Sequence, residues 1–257
     1  MGGYLIDLDG TLYVGGQAIA GAPGALQGLR SRNIPFRVVT NTTSRSRAML
    51  VTRLEEYGFT IAAEEIFTAT LAGAELARSA GFNSVSPFTP KAALEDLQGL
   101  ELLGGTSGRP AGQIPDAILV GDLGDQWTYA LMQEAFDYLM NGAAFIAFSK
   151  DRYWLRDGRL VLDAGPFVSG LEFASRTQAR LAGKPSTDFF QAALQSLGSI
   201  PPDSVAMVGD DLWSDVQGAQ IAGLQGWLVR TGKFRAAVLE ESGIFPDRIL
   251  DSIAALD

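Results

Sequence analysis

The sequence predicts an α/β protein: an open parallel sheet covered by helices on both faces, with a smaller α/β segment inserted in its middle. Three observations predict this. At both ends of the chain, short apolar runs of strand length alternate with amphipathic stretches of helix length, the pattern of successive β-α-β units. Between them, residues 71–177 change character, holding a helix, a strand, a hairpin signal and a glycine-rich stretch. Several of the apolar runs also stop abruptly at carboxylates, hydroxyls or a lysine, the strand ends where open α/β sheets gather ligands.

Taken in order, Tyr4-Leu5-Ile6 is a short apolar run ending in acidic residues, and it reads as a buried strand leading to a site. Residues 22–32 read as a helix, and Phe36-Arg37-Val38-Val39 as a second strand. Ser44 is placed to cap a helix running to about residue 57, which Gly58 stops. In the middle segment a helix over 126–140 ends at Asn141-Gly142, and Phe145-Ile146-Ala147-Phe148 follows as a strand. Tyr153-Trp154-Leu155 and Leu160-Val161-Leu162 flank Asp157-Gly158, a good hairpin turn. Residues 104–112 are glycine-rich and read as a flexible loop without core-forming residues. The first pattern then returns. Ala179-Arg180-Leu181-Ala182 is strand-like, and residues 187–197 form an amphipathic helix ended by Gly198. Val205-Ala206-Met207-Val208 is a buried strand, residues 215–222 are helical, and Trp227-Leu228-Val229 closes the series. The core is therefore expected over 1–70 and 178–257, and the inserted domain over 71–177.

The chain has 257 residues and contains neither histidine nor cysteine. That excludes a Ser-His-Asp triad, a His-ligated zinc, a thiolate nucleophile, a disulfide framework and an iron–sulfur cluster. Any chemistry has to come from carboxylates, Lys, Arg, hydroxyls, backbone amides or a hard, oxygen-bound cation. At 47% hydrophobic and 19% charged the composition is that of a globular protein. A net charge of −9 argues against a nucleic-acid polymer as partner. No apolar run reaches the length of a membrane span, and Met1 leads straight into the first strand with no room for a signal core. A soluble, cytoplasmic protein is the expectation.

Four features carry chemistry. In Asp7-Leu8-Asp9-Gly10-Thr11 the carboxylates stand two apart at the end of a strand, so they are expected to project to one side. Two such charges repel by about 4 kcal/mol at an effective dielectric near 20, so the pair needs a cation, a shared proton or donors. Thr40-Asn41-Thr42-Thr43-Ser44 gathers hydroxyls, an amide and free backbone amides before a helix, which suits an anion. Lys184, one of only four lysines, follows an apolar strand in Gly183-Lys184-Pro185. Gly209-Asp210-Asp211 ends another buried strand, and Asp215 follows near a helix start. Asp210 is suited to share an oxygen-bound Mg²⁺ with Asp7. Each feature alone also has a plainer reading, as turn chemistry, helix capping or a solvated lysine. Together they supply an acid pair, an anion loop, a cation and a metal carboxylate, the parts of a phosphoryl-transfer site.

With these residues in view, the sequence resembles the haloacid dehalogenase superfamily of aspartyl phosphatases, whose core is a Rossmann-like open sheet. Asp7-x-Asp9-Gly10-Thr11, Thr40-Asn41, Lys184 and Gly209-Asp210-Asp211 through Asp215 stand in that family's order. The insertion resembles the large α/β cap of the NagD-like branch, subfamily IIA. Similarity is nearest to the phospholysine phosphohistidine inorganic pyrophosphate phosphatase group, in Thr40-Asn41-Thr42-Thr43, Gly165-Pro166-Phe167-Val168, Gly183-Lys184-Pro185, Gly218-Ala219-Gln220 and Thr231-Gly232-Lys233.

The resemblance implies that Asp7 is the nucleophile and Asp9 the general acid, then base. It implies that Thr40, Asn41 and Lys184 hold the transferring phosphoryl group. Mg²⁺ would be bound by Asp7, the main-chain carbonyl of Asp9, and Asp210, with Asp215 orienting metal-bound water or Lys184 and Asp211 in a minor supporting role. The substrate would be a small phosphorylated molecule: a phosphomonoester, a pyrophosphate or a phosphoamide. Lys150, Arg152 and Tyr153, crowded before the hairpin, are candidates for substrate contacts from the cap. Tyr153 reads equally as cap core. Caps of this branch often mediate dimerisation, so a homodimer through the cap is a further expectation. The rival from another class is a phosphate-binding or regulatory protein that keeps the scaffold without turnover.

Overall fold

The first strand, β1 (Gly3–Asp7), is buried along its whole length. That is what a continuous apolar run becomes when it sits inside a parallel sheet with both faces covered. In the computed structural model, which describes residues 1–110, 112–156 and 159–256, β1 pairs in parallel with two strands distant in sequence. By chain contacts the protein divides into two units, one of residues 1–40, 47–67 and 184–257, the other of residues 41–46 and 68–183.

The first unit begins with β1, the short hairpin β2 (Tyr13–Val14) and β3 (Gln17–Ala18), α1 (Ala22–Ser31), β4 (Phe36–Thr40), α2 (Arg47–Glu56) and β5 (Ile66–Thr68). The chain then enters the second unit through α3 (Ala69–Ser79), β6 (Ser84–Phe88), β7 (Glu101–Leu102), β8 (Ala117–Val120) and α4 (Tyr129–Met140). It continues with β9 (Ala144–Ala147), β10 (Tyr153–Arg156), β11 (Arg159–Leu162), α5 (Gly165–Ser175) and β12 (Arg180–Leu181). It returns through α6 (Thr187–Leu197), β13 (Val205–Gly209), a π-helical turn (Leu212–Gln217) running into α7 (Gly218–Ile221), β14 (Gln225–Val229), α8 (Ala236–Ser242) and β15 (Arg248–Leu250).

The first unit is built on a six-stranded sheet of order β15-β14-β13-β1-β4-β5. β1 is parallel to both β13 and β4, and β14 is parallel to β13 and β15. Alternate residues of β1 feed the two faces. Tyr4 and Ile6 join Leu26, Leu29, Val38, Leu50, Leu54, Val208 and Trp227 in one buried cluster. α6 buries Phe189, Phe190, Ala193 and Leu197, starts where the Ser186 hydroxyl accepts from the Asp188 amide at 3.2 Å, and stops at Gly198.

The second unit has its own five-stranded sheet of order β12-β9-β8-β6-β7, all of its pairs parallel. Its core joins Phe88, Ile118, Val120, Tyr138, Phe145, Val168 and Leu171. Trp127 is stacked between Phe88 and Phe167, at 5.8 and 5.1 Å. No helix among the described residues is long and apolar enough to cross a membrane.

Several elements depart from the sequence expectation. α2 starts at Arg47, not at Ser44; Ser44 and Ser46 are equally good caps by residue type, and spacing does not choose between them. The helix expected from 126 starts after Thr128, whose hydroxyl accepts from the Leu131 amide at 3.2 Å. The strand near 179–182 belongs to the second sheet, with Arg180 opposite Ile146. Apolar patterning identifies a strand but not the sheet edge that receives it. The glycine-rich stretch is anchored in its first half: the Thr106 hydroxyl meets the Pro87 and Thr89 carbonyls at 3.0 and 2.6 Å, and the Gly105 amide donates to Glu134 at 2.9 Å. Ala111 of that stretch, and the expected Asp157-Gly158 turn, lie outside the described residues, while β10 and β11 pair antiparallel as that turn requires.

Candidate active site

β1 sits where the sheet order reverses direction, with β13 on one side and β4 on the other, the place where open parallel sheets form a crevice at their carboxyl ends. β1 ends at Asp7, β13 ends one residue before Asp210, and β4 ends at Thr40. Lys184 enters from the segment before α6. Its ammonium donates to Asp7 Oδ1 and, at 2.7 Å, to Asp215 Oδ1. All four charged groups are buried, with Asp7 at 7%, Lys184 at 5%, Asp210 at 3% and Asp215 at 1% exposure. One carboxylate oxygen from each of Asp7, Asp210 and Asp215 lies within 4.8 Å of the others.

Glycines make this crowding feasible. Gly10 (φ 92°) and Gly232 (φ 56°) are left-handed, and a Cβ on either would overlap the Asp210 carboxylate. The Asp210 carboxylate accepts from the Lys233 amide at 2.6 Å, and the Thr231 hydroxyl donates to the Gly10 carbonyl at 2.5 Å. Thr231-Gly232-Lys233 thus closes over Asp210. The sequence pattern gives that tripeptide no role; the available signal is a glycine three residues past the buried end of β14.

The electrostatics follow from burial and crowding. Burial, aided by Asp215 and Asp210, holds Asp7 well above the usual carboxylate range against the pull of Lys184. Burial and then Asp215 push Asp210 up to about 7. Burial alone would lower Lys184, but Asp215 and Asp7 outweigh it and raise the ammonium's pKa. Lys184 is bonded to Asp7 and Asp215 and not to Asp210, so three ionised carboxylates here would outnumber the buried ammonium, and the cluster favours taking up a proton or a cation. Burial would also raise Asp211, but Lys233 and the amides of Ser214 and Trp213 hold it below the ordinary value.

Asp211 and Asp215 divide their roles differently from the capping alternative considered for them. Asp211 is the cap of the π-helical turn, its Oδ1 accepting from the Trp213 and Ser214 amides at 3.0 Å. Its other oxygen accepts from Lys233 Nζ at 2.9 Å. Asp215 faces inward to Lys184, its second oxygen accepting from the Asp211 amide at 3.1 Å. A pocket of about 70 Å³ opens beside Asp210 and is also lined by Asp211, Leu212, Trp213, Lys233 and Phe234.

Asp9 is the main departure. β1 ends at Asp7, so the period-two argument that pairs the two side chains does not reach Asp9, which lies beyond the strand in a backbone bridge with Tyr13. Asp7 is buried and Asp9 exposed, and Asp9 is outside the three-carboxylate cluster. Thr40 is buried at the end of β4. Asn41 belongs with the second unit, where a Cβ on Gly183 would come within 2.7 Å of its Oδ1. Lys150 is paired with Glu172 at 2.9 Å, while Arg152 and Tyr153 are exposed at the start of the hairpin.

Two family profiles match the chain: Haloacid dehalogenase-like hydrolase over residues 4–101 and HAD-hydrolase-like over residues 181–256. Haloacid dehalogenase-like hydrolase domain-containing protein 2 of Homo sapiens is 40% identical over 235 residues, covering 91% of this chain and 85% of that protein. Phospholysine phosphohistidine inorganic pyrophosphate phosphatase of Homo sapiens is 33% identical over 262 residues, covering 98% and 91%. Among solved structures, NagD from E. coli K-12 superposes with a TM-score of 0.88 at 25% identity, covering all of this chain and 98% of that one.

Proposed function

The chain belongs to the haloacid dehalogenase-like hydrolases, in their NagD-like phosphatase branch, and from that membership we propose a Mg²⁺-dependent hydrolysis of small phosphorylated molecules through an aspartyl-phosphate on Asp7. The observation that carries this reading is the buried Lys184 ammonium bound to Asp7 and Asp215 at the carboxyl end of β1. It orients one carboxylate oxygen of Asp7 and leaves the other for attack.

In the first step an Asp7 carboxylate oxygen bonds to phosphorus. The ester P–O bond breaks with its electron pair on the leaving oxygen, which takes a proton from Asp9. In the second step water, giving a proton to Asp9, attacks the same phosphorus, and inorganic phosphate leaves as the Asp7–phosphorus bond breaks. Exposure suits Asp9 to this exchange with substrate and water. Lys184 and Thr40 are the first unit's candidates for the phosphoryl oxygens; the assignment of Asn41 rests on motif order.

The donor set fits a hard divalent cation: buried carboxylate oxygens with more negative charge than Lys184 offsets. Asp7, Asp210 and the main-chain carbonyl of Asp9 would hold Mg²⁺, since both Asp215 oxygens are engaged by Lys184 and the Asp211 amide. When bound, Mg²⁺ supplies charge neutralisation to the phosphoryl oxygens. The name of the human phosphatase relative supports including phosphoamides and pyrophosphate among the substrates to assay.

Asp7→Asn is expected to abolish phosphate release from p-nitrophenyl phosphate while thermal unfolding stays cooperative, and EDTA is expected to stop the wild-type reaction until Mg²⁺ is restored. Undiminished turnover by the Asp7→Asn protein sinks the mechanism.

A further inference from the structure

Asp9 stands on a tight loop rather than a strand. The Gly10 amide donates to the Tyr13 carbonyl at 2.8 Å, the Leu12 amide donates to the Leu8 carbonyl at 3.0 Å, and the backbones of Asp9 and Tyr13 are bridged. Among the described residues the Asp9 carboxylate makes no hydrogen bond, so its position depends on how firmly this loop is held.

The loop leads directly into the β2–β3 hairpin, and the first residue of β2 is Tyr13, 4% exposed. Arg53 in the last turn of α2 and Tyr57, the residue just past the helix, stand four positions apart and meet that ring. The Tyr13 and Tyr57 rings lie 5.1 Å apart, tilted by 59°. The Arg53 guanidinium stands over both, 5.3 Å from the Tyr13 ring and 5.7 Å from that of Tyr57, and its Nε donates to the Tyr57 hydroxyl at 3.1 Å. Burial pushes the Arg53 guanidinium down, but Tyr13, Tyr57 and Asp9 together raise it.

We propose that Arg53 is a positioning residue for Asp9: seated on the Tyr13 ring and tied to the Tyr57 hydroxyl, it holds the β2–β3 hairpin and, through the Tyr13–Asp9 backbone bridge, the carboxyl group that meets the leaving oxygen. The inference rests on Asp9 being the proton donor of the first step. Arg53 touches neither substrate nor reacting atoms in this role. It acts by restricting where the proton is offered while the P–O bond breaks and its electron pair stays on oxygen.

The test is a series of aryl phosphates of rising leaving-group basicity, from p-nitrophenyl to phenyl phosphate, with kcat/KM reporting the step that breaks the ester bond. A p-nitrophenolate departs without much protonation; a phenolate needs it. Arg53→Ala is expected to lose about twofold on p-nitrophenyl phosphate and about tenfold or more on phenyl phosphate, with a near-native melting curve. Arg53→Lys, which keeps a cation over the ring, is expected to recover most of the loss. Asp9→Asn is the control and is expected to show the steepest dependence. A uniform loss, or none, with Arg53→Ala beside a steep Asp9→Asn series overturns the role of Arg53 and leaves Asp9 as donor. A flat series for both proteins overturns Asp9 as donor and the role of Arg53 with it.

Discussion

Among the described residues Lys184 is the single buried cation, set beside the buried Asp7, Asp210 and Asp215. Burial and the neighbouring Asp215 make the charged form of Asp210 costly, and a divalent cation would remove the cost. Asp210→Asn keeps an acceptor for the Lys233 amide while deleting the charge. In EDTA this protein is expected to be more stable than wild type by about 1 kcal/mol, read from thermal or urea unfolding. Added Mg²⁺ is expected to raise the melting temperature of wild type and leave that of the variant nearly unchanged, while its activity falls by roughly a hundredfold or more. Equal stabilisation of both proteins by Mg²⁺ would remove Asp210 from the metal site.

At the scale of elements, each strand leading to the site places its candidate residue within one residue of its carboxyl end. β1 delivers Asp7, β4 delivers Thr40 and β13 delivers Asp210. The placements on β1 and β13 were legible because a fully buried parallel strand is an apolar run whose end is marked by the first carboxylate. β4 carries the half-buried Arg37 and ends at an uncharged threonine, so its end was marked only by the run of hydroxyls. Helix starts were less legible, as Ser44 and Ser46 show. The second unit's sheet offers an independent test. Asp116, just before β8, accepts from the Asn83 and Ser84 amides at the start of β6, at 2.8 and 2.9 Å. Those backbone donors, Ser84 foremost, hold its carboxyl below the ordinary value. A depressed folded-state pKa means the contribution is complete above the unfolded value near 4 and is lost as pH falls through the folded one. Asp116→Ala is therefore expected to cost about 0.5–1 kcal/mol at pH 7, a modest figure because the group is exposed. The difference from wild type should close as pH falls below the folded-state value. A penalty that persists there would assign the cost to packing instead.

At the scale of the whole molecule, the two units divide the work that the sequence distributes among its segments. The second unit exposes Phe173 at 90%, Tyr129 at 83%, Leu160 at 62% and Leu162 at 59%. Homodimerisation through this unit, the expectation raised by the family resemblance, is tested by light scattering. A mass near twice 27.3 kDa that Phe173→Glu or Leu160→Asp halves supports it, and a 27.3 kDa wild type overturns it.

The absence of histidine and cysteine confined the chemistry to carboxylates, Lys, Arg, hydroxyls, backbone amides or an oxygen-bound cation before any fold was known, because residue type sets what a side chain can donate, accept or attack with. The alternation of apolar runs and amphipathic stretches likewise set the open sheet and the order of its motifs, because both depend on local periodicity. The partners of each charge depend on neither. Asp211 and Asp215 stand one helical turn apart and look interchangeable in the chain, yet one caps a turn beside Lys233 and the other grips Lys184. Asp7 and Asp9 stand two apart, yet one is sealed in the sheet and the other lies on a loop braced by Arg53 through Tyr13. The local part of those distinctions, a cap at Asp211 and a bridge at Asp9, lies within four residues. The ion pairs to Lys184 and Lys233 and the seat of Arg53 on Tyr13 join residues tens to hundreds of positions apart, where burial and charge pairing act and sequence spacing carries no record.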